Sequence, residues 1–240
     1  MKRVSRNTFI AAAVLLCSLG FSKRADAAAI AAICNDFACT GGDDFLVTDN
    51  GAGDTIGLLG AINFTTSAFG YSIVVNTSQT KPILGSATAP QLDLTFSATT
   101  GTVGSNSVFI YLSDTDFLNA QLFSLTLGGT NSGGSGTVTG RAWGGTSNTA
   151  LQFSAANLLG TTGALTGTPF SGSASGALSP AVNPYSLTIG VAINRTTAGT
   201  TTGDLNFSTS PVPEPASMTL FGLGLMGLSF AAYRRKTKNR

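Results

Sequence analysis

Histidine does not occur anywhere in the chain. Its absence rules out Ser–His–Asp and Cys–His nucleophile pairs, together with every His-ligated metal site. Glutamate occurs once, as Glu214, so paired-carboxylate chemistry would have to rest on aspartates. Charge of either sign is scarce, at 10% of residues, and the bases gather at the two ends. Between Ala28 and Pro213 the bases are Lys81, Arg141 and Arg195. The acids there are Asp36, Asp43, Asp44, Asp49, Asp54, Asp93, Asp114, Asp116 and Asp204, and three minus nine gives −6. A domain of that sign has no electrostatic footprint for phosphate backbones, so nucleic acid is not an expected partner. Cysteine is limited to three residues, of which Cys34 and Cys39 lie beyond the first apolar run. Two sulfurs without an imidazole are too few for a structural zinc site. No metal or other cofactor is expected, and no catalytic constellation is found.

What is present at the N-terminus is a three-part leader. Lys2, Arg3 and Arg6 precede an apolar run from Phe9 to Phe21, and Ala25-Asp26-Ala27 supplies small residues at both positions a signal peptidase reads. The apolar run is too short to span a bilayer comfortably. Residues 1–27 are therefore expected to be a signal peptide, cut after Ala25-x-Ala27, and export makes a small local disulfide between Cys34 and Cys39 the preferred reading. A loop of that size contributes roughly 2 kcal/mol on the chain-entropy description.

Residues 28–210 read as β throughout. Short runs rich in Val, Ile, Phe, Tyr and Thr alternate with Gly, Asn, Asp and Ser clusters. Candidate strands are 45–48, 57–64, 69–76, 91–98, 108–113, 121–127, 136–142, 150–155, 172–178, 185–194 and 204–208. Leu92, Leu94 and Phe96 alternate with Asp93, Thr95 and Ser97. Phe123, Leu125 and Leu127 alternate with Leu122, Ser124 and Thr126. Tyr185, Leu187, Ile189, Val191 and Ile193 form the longest stripe, opposite Ser186, Thr188, Gly190, Ala192 and Asn194. Such stripes predict strands with one buried and one wet face. No segment has a convincing 3.6-residue apolar period. An all-β, antiparallel β-sandwich or jelly-roll-like ectodomain follows, with residues 131–136 and 144–148 as flexible connections and 196–210 as a last strand followed by a stalk.

The last thirty residues hold three elements in order. Val212-Pro213-Glu214-Pro215 lies in a proline-rich stretch that stays extended and accessible, because proline fixes φ and removes donors. Residues 216–233 carry no charge, and about 18 residues at a 1.5 Å rise reach about 27 Å, a marginal transmembrane helix. Arg234, Arg235 and Lys236 follow at once, a basic stop that stays cytoplasmic by the positive-inside rule. Leader and tail agree on topology, with residues 28–210 outside and residues 234–240 inside.

This arrangement resembles the PEP-CTERM sorting signal, a tail also labelled an ice-binding protein C-terminal domain. The resemblance covers about 25 residues. It implies a Gram-negative bacterium, transient membrane anchorage, and processing near the Pro-Glu-Pro by an exosortase, a membrane-embedded cysteine transpeptidase-like enzyme. Delivery to the cell surface or an extracellular matrix, with exopolysaccharide as a partner and biofilm as a setting, is implied in the same way.

For the domain itself the first reading is a non-enzymatic surface or matrix protein. The alternative is a carbohydrate-binding or adhesive module with calcium assistance. Asp43, Asp44, Asp49 and Asp54 sit in a Gly/Asn-rich loop that suits a hard cation, although the spacing matches no known calcium repeat. Trp143 and Tyr185 are candidates for stacking on sugars. Asp114 and Asp116 are the pair an aspartate hydrolase would use. Ice binding needs a regular threonine rank, and Thr137, Thr139, Thr166 and Thr168 share no common period.

Overall fold

The computed structural model describes residues 29–101, 104, 106–118, 121–178 and 183–210. The expected signal peptide with Ala25 and Ala27, the sorting residues 212–215, the helix 216–233 and the basic stop 234–236 lie outside the described residues. Twelve strands are described: β1 (Ile30–Cys34), β2 (Phe45–Thr48), β3 (Ala61–Ala68), β4 (Tyr71–Gln79), β5 (Gln91–Thr100), β6 (Asn106–Phe117), β7 (Gln121–Ser132), β8 (Gly136–Gly145), β9 (Leu158–Thr161), β10 (Phe170–Leu178), β11 (Tyr185–Arg195) and β12 (Gly199–Ser210). The one described helical turn is a 3-10 turn, Ala155–Asn157, capped by the Ser154 side chain.

Two antiparallel six-stranded sheets pack face to face. The first runs β2-β1-β6-β11-β8-β9 and the second β10-β7-β12-β5-β4-β3. From β5 onward the order is that of a jelly roll: β5-β12-β7-β10 faces β6-β11-β8-β9. The hairpin β3–β4 widens the second sheet beside β5, and β1–β2 widens the first beside β6.

The period-two stripes produce this packing. Leu92, Leu94 and Phe96 of β5, Phe123, Leu125 and Leu127 of β7, and Tyr185, Leu187, Ile189, Val191 and Ile193 of β11 all enter the core between the sheets. Their partners on β5 and β7 face outward, and Leu122 stays 62% exposed. On β11 the expected wet face is instead buried at Ser186, Thr188 and Gly190. The cause is a second apolar cluster on the outside of the first sheet. Ala32, Cys34, Tyr111 and Trp143 form its base, and Phe109, Leu151 and Phe153 pack against them. Residue 190 must be glycine, because a Cβ there would sit 2.0 Å from Tyr111 Cδ1. A disulfide joins Cys34 to Cys39 and closes the loop that carries Phe37 over this cluster, 5.5 Å from Trp143 between ring centres. Asp36 braces the same loop by accepting from the backbone N–H groups of Ala38 and Thr40.

Several expected boundaries change. Residues 150–155 form no strand; the chain covers the second cluster there before β9 begins at Leu158. Asn131 and Ser132 end β7 and Gly136 begins β8, so 131–136 is a tight hairpin rather than a long connection. Gly144 and Gly145 continue β8, paired with Leu187 and Ser186. The expected stalk within 196–210 is mostly β12, an interior strand between β7 and β5 whose threonines are held by cross-strand pairing on both sides. β1 was not anticipated, because its small residues Ala31 and Ala32 carry little strand preference of their own.

Candidate functional site

The outer face of the second sheet is built from the polar half of each stripe. Cross-strand register sets these residues in rows. One row is Ser173, Thr126, Asn206, Asp93 and Gln79; the next is Ser171, Gly128, Asp204, Thr95 and Thr77. Two further rows run Thr130, Thr202, Ser97, Val74, Thr65 and Ser132, Thr200, Thr99, Ser72, Ser67. Neighbouring strands lie about 4.8 Å apart, and the last of these rows carries a hydroxyl at each of its five positions. Thr99 and Thr200 share a hydrogen bond of 2.9 Å, as do Thr130 and Thr202. None of these four rows contains a basic or aromatic residue. The three bases of the described region are engaged elsewhere. Lys81 and Arg195 are buried, and Arg141 lies 5.2 Å over the Phe37 ring at the first sheet.

An open groove of about 650 Å³ runs across this face, lined by Thr126, Leu127, Gly128, Ser171, Gly172, Ser173, Asp204 and Asn206. At its edge two carboxylates come together from β5 and β12. Asp204 accepts from Thr95 Oγ1 at 3.2 Å and from Asn206 Nδ2 at 2.7 Å. Asp93 keeps a buried Oδ1 with no protein donor. Burial pushes the Asp93 carboxyl up to about 7, and the hydrogen bond and charge of Asp204 add to the rise. The alternation of β5 puts Asp93, Thr95 and Ser97 on one polar face, but no local pattern brings Asp204 beside them, since Thr95 and Asp204 are 109 positions apart. The available signal was the same alternation in β12, where Asp204, Asn206 and Ser208 share a face.

The pair predicts a pH dependence. Asp93 titrates above its ordinary value of 3.8, so the folded state holds a proton that the unfolded chain has released. Stability therefore falls as pH rises from about 4 to about 7 and levels off beyond. Asp93→Asn is expected to flatten this slope and, at pH 8, to stabilise by about 1 kcal/mol after solvent screening. Thermal unfolding at pH 5 and pH 8 measures it, as a gain of about 2–4 °C at pH 8.

The residues singled out earlier go to other tasks. Asp114 is buried and paired with Lys81. Asp116 is tied to Asn148, which donates through Nδ2 at 2.8 Å to its carboxylate and accepts its backbone N–H at 2.7 Å. Trp143 and Tyr185 are 1% and 0% exposed and present no surface for a sugar to stack on. In the acidic loop, Asp49 accepts from the Gly60 N–H, and Asp54 from those of Asn50, Ile56 and Asn63, so these oxygens brace the backbone. Asp44 has a carboxylate oxygen within 4.8 Å of both sulfurs of the Cys34–Cys39 disulfide, but bonded sulfurs offer no thiolate to a metal. Thr137 and Thr139 lie on β8, while Thr166 and Thr168 lie between β9 and β10, where Thr168 donates to the Asn131 carbonyl.

The described region is thus a jelly-roll β-sandwich with a hydroxyl-rich outer sheet. Beyond β12, residues 211–236 match the PEP-CTERM protein-sorting motif. The chain carries this sorting signal, which implies export and membrane-associated sorting with processing by an exosortase. A comparison with curated proteins finds no match. Among solved structures, the chain is similar to the enzymatically active domain of tailspike protein 4 from bacteriophage CBA120, at 12% identity and a TM-score of 0.37, over 63% of this chain and 19% of that one. It is also similar to TmCBM61 in complex with β-1,4-galactotriose, at 7% identity and 0.33, over 59% and 83%. A third similarity is to carbohydrate-binding modules of the β-sandwich superfamily, at 14% and 0.36, over 68% and 65%. The chain spans about a fifth of the tailspike domain's length. Likenesses this distant carry nothing about ligand.

Proposed function

We propose that this is a non-enzymatic cell-surface or extracellular-matrix protein of a Gram-negative bacterium, delivered through its PEP-CTERM tail. The leader 1–27 directs export across the inner membrane. Residues 216–233 then hold the chain in the bilayer with Arg234, Arg235 and Lys236 on the cytoplasmic side. An exosortase-like enzyme processes the tail near Pro213-Glu214-Pro215, and the sandwich passes to the surface or into exopolysaccharide and biofilm. The observation that carries this reading is the position of the sorting motif. It begins at residue 211, directly after β12 ends at Ser210. The folded unit is therefore followed at once in the sequence by the proline-rich stretch on which a processing enzyme would act.

Two variants test it. Glu214→Ala, and deletion of Arg234, Arg235 and Lys236, are each expected to leave most of the protein uncut in the membrane fraction, read by immunoblot of fractionated cells. Normal cleavage and surface yield in both would contradict the sorting route.

The reading as a carbohydrate-binding or adhesive module is favoured by one observation, the groove on the second sheet. Its walls offer the hydroxyls of Thr126, Ser171 and Ser173, and its edge offers Asp204 and Asn206. Such donors and acceptors suit a polyhydroxylated chain.

A further inference from the structure

We infer that the groove on the second sheet takes uncharged polysaccharide and discriminates against polyuronates and other acidic polymers. The inference rests on the polysaccharide-binding reading above and adds the ligand's charge class.

Thr126, Ser171 and Ser173 offer hydroxyls that donate and accept, Asn206 offers an amide, and Asp204 offers a carboxylate. A ligand matching this set needs many hydroxyls that can alternate as donor and acceptor along its length. Flat aromatic ligands find no ring to stack on in the rows around the groove. Charge then narrows the class. The ionisable groups that face each other here are Asp204 of β12 and Asp93 of β5. Beside them, β10, β7 and β4 contribute only Ser171, Ser173, Thr126, Gly128, Thr77 and Gln79 to the two central rows. Among the described residues no cation balances the pair, since Lys81, Arg141 and Arg195 are committed elsewhere. A carboxylated polymer would set like charges side by side at the groove edge, whereas a neutral glycan can donate hydroxyls to the carboxylates in charge-assisted hydrogen bonds.

Gly128 makes the proposal testable without damage to the fold. It lines the groove, and a Cβ built there meets nothing within 4 Å. A side chain at 128 therefore fills the groove and leaves the packing alone.

The experiment uses the full-length protein in detergent micelles. Binding is measured to a panel of immobilised neutral homopolysaccharides (glucan, galactan and mannan) and to polygalacturonate at low ionic strength. Wild type is expected to bind at least one neutral polymer and to bind polygalacturonate at least tenfold more weakly. Gly128→Leu is expected to lose neutral binding at least tenfold with an unchanged unfolding temperature. Asp93→Asn with Asp204→Asn is expected to narrow the discrimination against polygalacturonate. If Gly128→Leu binds neutral polymer as wild type does, the groove is not the site, and the polysaccharide reading survives at another surface. Wild-type preference for polygalacturonate that Gly128→Leu abolishes, and that therefore belongs to the groove rather than to the basic ends, overturns the charge argument alone. Binding to neither class removes the polysaccharide reading and this inference together, leaving the sorting account to its own test.

Discussion

Asp114→Ala is expected to destabilise the sandwich by about 3–5 kcal/mol, a large share of the roughly 5–15 kcal/mol available to a domain. The Asp114 carboxylate accepts from Lys81 Nζ at 2.8 Å and from Thr80 Oγ1 at 2.8 Å. Lys81 Nζ also donates to the Thr115 carbonyl at 2.6 Å and lies 4.6 Å over the Phe117 ring. The two charged side chains are 0% and 2% exposed, so water cannot replace the lost partner. Removing the carboxylate leaves an ammonium in the interior with a single carbonyl and a ring face. The double variant Asp114→Ala with Lys81→Met removes both charges and is expected to recover more than half of the loss. Urea unfolding of the purified single and double variants measures both numbers. An Asp114→Ala variant within 1 kcal/mol of wild type would mean that the pair is not holding β6 to the segment after β4.

Trp143→Ala should cost a similar amount, about 3–5 kcal/mol, through a different mechanism. Trp143 is the centre of the outer cluster. Its ring lies 5.5 Å from Phe37, 5.9 Å from Tyr111 and 5.4 Å from Phe153. These neighbours come from three separate stretches of chain, two of them loops, and the disulfide fixes the loop that brings Phe37. Tyr111 further ties that loop by donating from its hydroxyl to the Phe37 carbonyl at 2.9 Å. A constrained surround cannot collapse into the space a truncated tryptophan leaves, so most of the cavity penalty remains. Trp143→Phe keeps a ring and should lose less than half as much. Denaturant midpoints of the two variants give the comparison, and equal losses would show that the cluster rearranges.

Particular residues show how much of this was legible in the sequence. β5, β7 and β11 were readable because Leu92-x-Leu94-x-Phe96 and its counterparts alternate strictly, and alternation is a local property. The absence of helical periodicity was equally local, and with the turn residues it gave the all-β sandwich class. The outer cluster was not readable. Ser186, Thr188 and Gly190 look solvent-facing on β11 alone; they are covered because Tyr111, Ser113 and the segment around Leu151 and Gln152 arrive from elsewhere. Asp114 offered a catalytic pattern by its spacing from Asp116, and only the fold shows it committed to Lys81. The candidate groove failed for the same reason. Asp93 and Asp204 each read as ordinary strand-surface aspartates, and their meeting depends on the pairing of β5 with β12. The sorting tail lies at the opposite extreme, because its proline stretch, apolar run and basic end are contiguous and carry their meaning without any fold.

We propose that the sandwich is an exported unit released from a temporary membrane stop. Mass spectrometry of the termini of the native protein, taken from fractionated cells, tests it most directly. The expected result is surface or extracellular material that begins near residue 28 and ends close to Pro213-Glu214-Pro215, without Arg234, Arg235 and Lys236. Recovery of a soluble cytosolic chain running from Met1 to Arg240 would contradict it.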